Sequence, residues 1–370
     1  MTALTTRPEP GAAKPAGPPS RPPGRPRPAG HGLLRHRRAS FLVHRRSAVV
    51  AGVLLLLLAA AFVTALCVGE TYVSPLDALR SVFGVPNDND FVVGTLRLPR
   101  VVTGVLVGLA FGAAGSLIQT VARNPLASPD VIGITRGAGA CVVGFLVLGG
   151  MSSGDIPYAA LLGGIGAAAL VYLLAWRRGL QAQRFVLIGV GISLALVSVT
   201  NMLLTKADVV LAQQAKVWMS GSLNGRGWDY AQPLALTLLV LLPFLAWAGR
   251  AQRTAGFDDD TATSLGIRLG RTRLGLAVIG IVLASAATAA AGPVEFVALM
   301  APQVARRLAR TPQIPLVSSA LVGALIVCVA DIGARLLFSP TELPVGVVTA
   351  AIGGPYLLWL LTRSRTGGAA

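Results

Sequence analysis

The chain has 370 residues, 54% of them hydrophobic and only 13% charged, with a mean hydropathy of +0.68. A soluble domain carries about 25% charged residues, so this composition excludes an ordinary water-soluble enzyme. The formal charge of +17 raises nucleic acid as a partner, but ten of the 32 basic residues precede residue 48 and most others sit between apolar runs, where they set orientation in a membrane.

Residues 1–46 are rich in Pro, Gly, Ala and Arg and lack apolar periodicity. They are expected to form a disordered cytoplasmic tail, with one membrane domain over 47–366. The tail ends in "RHRRASFLVHRR", a topology signal that also suits anionic lipid. A secretory signal over 35–67 is disfavoured, because its apolar region is too long. Ten apolar runs follow, at about 48–68, 100–120, 134–150, 157–176, 184–204, 231–249, 274–291, 294–309, 316–334 and 343–362. With the tail inside, the inner loops and C-terminus hold fifteen basic residues and the outer segments seven. Both termini are therefore expected in the cytoplasm.

The second run carries Gly104, Gly108 and Gly112 at four-residue spacing, then Gly115. Such a face lets another helix backbone approach closely and belongs in the middle of a bundle. The run ends in Gln119, a polar residue expected to face protein or a cavity. Next comes "RNPLASPDVIG" (123–133), in which Pro125 and Pro129 block helix continuation. "GSLIQTVARNPL" in the first half echoes "LMAPQVARRLAR" in the second, a hint of the internal repeats from which many transporters are built. In "FDDDTATSLGIRLG" (257–270), Asp258, Asp259 and Asp260 crowd a helix start, small residues follow, and Gly266 ends the turn. A slim helix of that kind fits a groove on a partner. Glu295 follows the break at Gly292 and Pro293 and is expected to cap the next helix. Asp331 and Arg335, four residues apart, form an intrahelical pair.

The missing chemistry is as informative. Only Lys14, Lys206 and Lys216 are lysines, and none follows a glycine, so no phosphate-binding loop exists and ATP hydrolysis on this chain is not expected. His31, His36 and His44 all lie in the tail, which excludes a histidine-ligated metal or haem inside the membrane. Cys67, Cys141 and Cys328 are isolated and read as small core residues. Neither a metal nor a cofactor is expected, and the chain is not read as an enzyme.

Together, "RLPR" (97–100), "GLAFGAAGSLIQTVARNPLASPDVIGITRGAGA" (108–140), "VWMSGSLNGRGW" (217–228), "SLGIRLGR" (264–271), "GPVEFVALMAPQVARRLAR" (292–310) and "ADIGARLLFSPTELPVGVVTAAIGGPYLLWLL" (330–361) resemble the FecCD-type (BtuC-like) permease family. These are membrane subunits of ABC importers for ferric siderophores, haem and cobalamin. Two departures bear on local gating: the family often has histidine at Gln303 and a small residue at Glu295. The resemblance implies an all-α, polytopic fold of ten transmembrane helices with an internal repeat, in the cell membrane. It implies a second permease subunit, identical or homologous, two cytoplasmic ATPase subunits and an external substrate-binding protein. Ferric siderophore is the favoured substrate, with haem or cobalamin as the alternative; a proton-coupled secondary transporter is the competing class. By resemblance, Asn124, Pro125 and Leu126 border the cytoplasmic gate. Thr261, Ala262, Ser264, Leu265 and Gly266 couple to the ATPase. Arg97, Arg100 and Arg335 grip acidic residues on the binding protein.

Overall fold

The computed structural model describes residues 31–36, 39–69, 71–149, 153–176, 182–256, 262, 264, 266, 268–338 and 341–364. The chain divides into two units, Met1–Arg45 and Arg46–Ala370. In the first, strands β1 (His31–His36) and β2 (Ala39–His44) pair antiparallel, with Leu33 opposite Leu42 and Leu34 opposite Phe41. This ribbon falls within the tail expected to be disordered; its few apolar residues are hidden in an average dominated by Pro and Arg. Two strands alone make a marginal sheet. Residues 1–30 lie outside the described residues.

The second unit is built of helices: α1 (Arg45–Cys67), α2 (Pro75–Val82), α3 (Leu98–Ala122), α4 (Ile134–Val147), α5 (Ile156–Ala175) and α6 (Ala182–Leu204) come first. Then follow α7 (Val209–Met219), α8 (Trp228–Ala255), α9 (Leu269–Ala291), α10 (Val297–Ala309), α11 (Leu316–Leu336) and α12 (Val345–Ser364). A π-helical turn, Phe91–Arg97, leads into α3. Ten of these helices fall on the ten expected spans. The short α2 and α7 do not; each is started by a side-chain cap, Ser74 accepting from Asp77 N and Asp208 from Leu211 N. By length and composition, seven helices among the described residues can cross a membrane; α4 and Val345–Leu360 are shorter apolar helices, and α10 has 13 residues.

Helix α3 is the hub. Nineteen of its 25 residues are buried, and it packs on α8, α9, α10 and α11. Its glycines explain why. A Cβ at Gly108 would run into the backbone of Ala324 and Gly323, one at Gly112 into Ser319, and one at Gly115 into Ala298. Backbone therefore lies on backbone where α3 meets α11 and, at Gly115, where it meets α10, which only glycine permits. Gly104 differs, since its nearest neighbour is a side chain, Leu223 Cδ1 at 2.9 Å. At the periphery, only 11% of the residues in the most apolar stretch of α6 and of α8 are buried, against 78% for α9. Their outward Leu187, Leu194, Leu236 and Leu239 suit hydrocarbon.

Candidate functional site

The elbow after α3 is fixed by its own bonds. Arg123 adopts the left-handed conformation (φ 48°) that ends the helix. Asn124 Oδ1 accepts from Leu126 N at 2.9 Å, and Asn124 O accepts from Ala127 N at 3.1 Å. This closed turn presents Pro125 to the outside and leaves Leu126 half-buried.

Behind the elbow lies a cavity of about 440 Å³, lined among others by Gln119, Thr120, Asn124, Gln252, Gln303 and Arg306. Gln119 faces protein, as its place at the end of the run required: it donates to Leu299 O at 3.1 Å and accepts from Gln303 Nε2. Arg306 Nη2 donates to Gln303 Oε1 at 2.9 Å. Gln252 of α8 donates to Ser116 Oγ and Thr120 Oγ1 of α3, both at 2.8 Å. The two echoing segments thus meet through Gln119 and Gln303, and both helices end on a left-handed arginine, Arg123 and Arg310, each with φ 48°. Gln119→Leu should leave buried Gln303 without its acceptor and Leu299 O without its donor. That costs about 1–3 kcal/mol and should lower the melting temperature of the purified permease; an unchanged transition would show that the network is slack.

Of the coupling residues, Ala262 is fully buried, Ser264 is exposed, and Gly266 is exposed with φ +73°. Thr261, Leu265 and Asp258–Asp260 lie outside the described residues. Gly256, the last described residue before this segment, sits on the cavity rim.

The three arginines expected at the docking surface are inside the protein, each 8–9% exposed. Arg97 Nη1 donates to Leu66 O at 2.8 Å and Cys67 O at 3.2 Å, and Nη2 to Thr71 O at 2.6 Å. Arg335 Nη1 donates to Ala65 O at 3.0 Å and Val68 O at 3.2 Å. Both guanidinium groups cap the C-terminal carbonyls of α1, which a helix cannot satisfy itself. Arg100 bridges two acids, with Nη2 2.9 Å from Asp331 Oδ1 and Nη1 2.9 Å from Glu342 Oε2. Asp331 also pairs with Arg335 at 2.9 Å, as the i,i+4 spacing indicated. The docking expectation is corrected: these donors are committed to holding α1, α3 and α11 together. Sequence reasoning missed Glu342, whose place beside "LPVG" on the loop between α11 and α12 was the available signal.

Glu295 does not cap α10, since no side chain caps that helix. It accepts from Arg136 Nη2 at 2.9 Å. The next residue, Phe296, has φ 64°, a strained value for a non-glycine residue. Asp130, in the loop before α4, has Oδ1 buried with no hydrogen-bond partner. Two lone opposite charges in separate apolar runs were the sequence signal for the Arg136–Glu295 pair.

The FecCD transport family matches residues 56–363. The chain is 43% identical over 278 residues to the ferric enterobactin transport system permease protein of Escherichia coli (strain K12), covering 75% of this chain and 84% of that protein. It is 39% identical to the achromobactin transport system permease protein of Dickeya dadantii (strain 3937), over 84% of this chain and 90% of the other. A solved metal-chelate type ABC transporter in an inward-facing conformation superposes with a TM-score of 0.72 at 25% identity, over 85% of this chain and 99% of that one.

Proposed function

The chain belongs to the FecCD transport family, and from that premise we propose that this multi-pass membrane protein is the permease subunit of an ABC importer for a ferric siderophore. The observation that carries the reading is the 43% identity to a ferric enterobactin permease, which extends over 84% of that protein. Ten spans would set both termini on one side, and the bias of basic residues toward the inner loops makes that side the cytoplasm. A second permease subunit completes the pathway, two cytoplasmic ATPases drive it, and an external binding protein loads it. Hydrolysis belongs to the ATPases, since this chain has no Gly-Lys-Ser/Thr.

Alternating access can be followed through named contacts. Closure of the ATPases moves the segment 257–270 and with it the end of α8 at Gly256. Gln252, one turn earlier, is hydrogen-bonded to Ser116 and Thr120 of α3. Helix α3 ends at the elbow Asn124–Leu126, so displacement of α8 reaches the gate through two short bonds. The fixed turn moves as a unit and carries Leu126 with it.

Purification from the native membrane tests the reading. An ATPase should co-purify, and its hydrolysis should rise with loaded binding protein; a chain that comes out alone and transports without ATP is not an importer subunit. Within the complex, the double change L265D/G266P should abolish ligand-stimulated ATP hydrolysis while the permease still folds. Stimulation that survives it would move the coupling site elsewhere.

A further inference from the structure

Two contacts set the depth of the Arg136–Glu295 pair. Gly137, next to Arg136, packs against Gly163 and Ala167, the middle of the 20-residue α5. Phe296, next to Glu295, packs against Gly353, the middle of the 20-residue α12. Both charges therefore lie near the centre of the hydrocarbon layer. There an arginine or glutamate facing lipid is costly. Yet the two side chains are 40% and 36% exposed on this protomer, so the chain does not enclose them. The surroundings that satisfy both facts are those of a water-filled pathway.

We infer that Arg136 and Glu295 stand in the wall of the translocation pathway and select cargo by charge, with Arg136 the contact for an anionic ferric chelate. This inference rests on the importer reading above. Glu295 takes a single hydrogen bond from Arg136, which uses one of five guanidinium N–H donors. Among the described residues Arg136 makes no other hydrogen bond than this one, and its remaining N–H groups suit a carboxylate or catecholate oxygen. Glu295 neutralises Arg136 between transport events. Cargo then exchanges one partner for another, and contact stays weak enough for release. Asp130, with Oδ1 buried behind the elbow, is not presented in this way.

The test uses the complete importer in proteoliposomes, with Cys67, Cys141 and Cys328 replaced by alanine. Glu295→Cys and, separately, Arg136→Cys should react with a charged, membrane-impermeant thiosulfonate, and trapping the ATPases closed with nucleotide should slow that reaction about tenfold. Reaction with a lipid-soluble maleimide alone would place the pair against lipid, and oxidative cross-linking between two copies would place it at a subunit interface; either overturns the proposal. Arg136→Gln should cut uptake of an anionic ferric tricatecholate about tenfold and that of a neutral ferric trihydroxamate less than about twofold. Equal losses of both would remove charge selection while leaving the importer reading intact. If the parent complex moved neither chelate and its ATPase ignored loaded binding protein, the importer reading itself would fall.

Discussion

Leucine at Gly108 or Gly112 should leave little folded permease in the membrane. At both positions the neighbour across the seam is backbone, Ala324 and Gly323 for one and Ser319 for the other. Backbone cannot rotate away as a side chain can, so α11 must separate from α3 over a full turn. Overpacking a core costs about 1–3 kcal/mol when side chains adjust, and more when backbone must move. A typical domain has only about 5–15 kcal/mol in reserve. The loss falls on the hub, so it spreads to α9 and α10. Gly104→Leu is the control: its obstacle is the Leu223 side chain at 2.9 Å, which can turn, and the effect should be clearly smaller. Membrane yield and melting of the detergent-purified protein decide it. A Gly112→Leu protein that melts normally would contradict the packing of α3.

Arg100→Met should be comparably damaging. It removes one of the two arginines paired with Asp331, whose side chain is 4% exposed, and the arginine paired with Glu342, at 30%. Breaking a buried pair by removing one partner costs about 3–5 kcal/mol, because the remaining charge stays buried. Asp331 keeps Arg335, so the larger share falls on the α3–α11 brace and the Glu342 loop. Arg100→Lys keeps the charge but lacks the fork that reaches both acids, and should recover only part of the loss. Slower capture of the binding protein by a normally stable Arg100→Met permease would instead restore the docking role.

Much of this architecture was legible in the chain. Apolar runs are long and local, so all ten stretches are helical, and four-residue glycine spacing announced a close helix contact before its partner was known. Gln119 could be assigned to the interior because a polar amide in lipid is costly. What failed to show was pairing across distance. Arg100 meets Asp331 and Glu342 more than 230 residues away, and nothing local distinguishes a basic residue that faces outward from one that caps α1. Position before a span suggested a surface, whereas the α1 carbonyls that draw Arg97 and Arg335 inward exist only in the fold. Glu295 was misread for the same reason: a helix start was visible in "GPVEF", but Arg136 was not visible beside it. The brevity of α10 escaped because Phe296 takes a left-handed turn, where apolar character gives no warning.

ATP-driven uptake tests the central claim most directly. The chain would be reconstituted with its ATPase and binding-protein partners in sealed liposomes, with radiolabelled ferric siderophore outside and ATP inside. Iron should accumulate only when ATP, the ATPase and the loaded binding protein are all present, and a proton gradient alone should move none. Accumulation driven by that gradient without ATP would contradict the account.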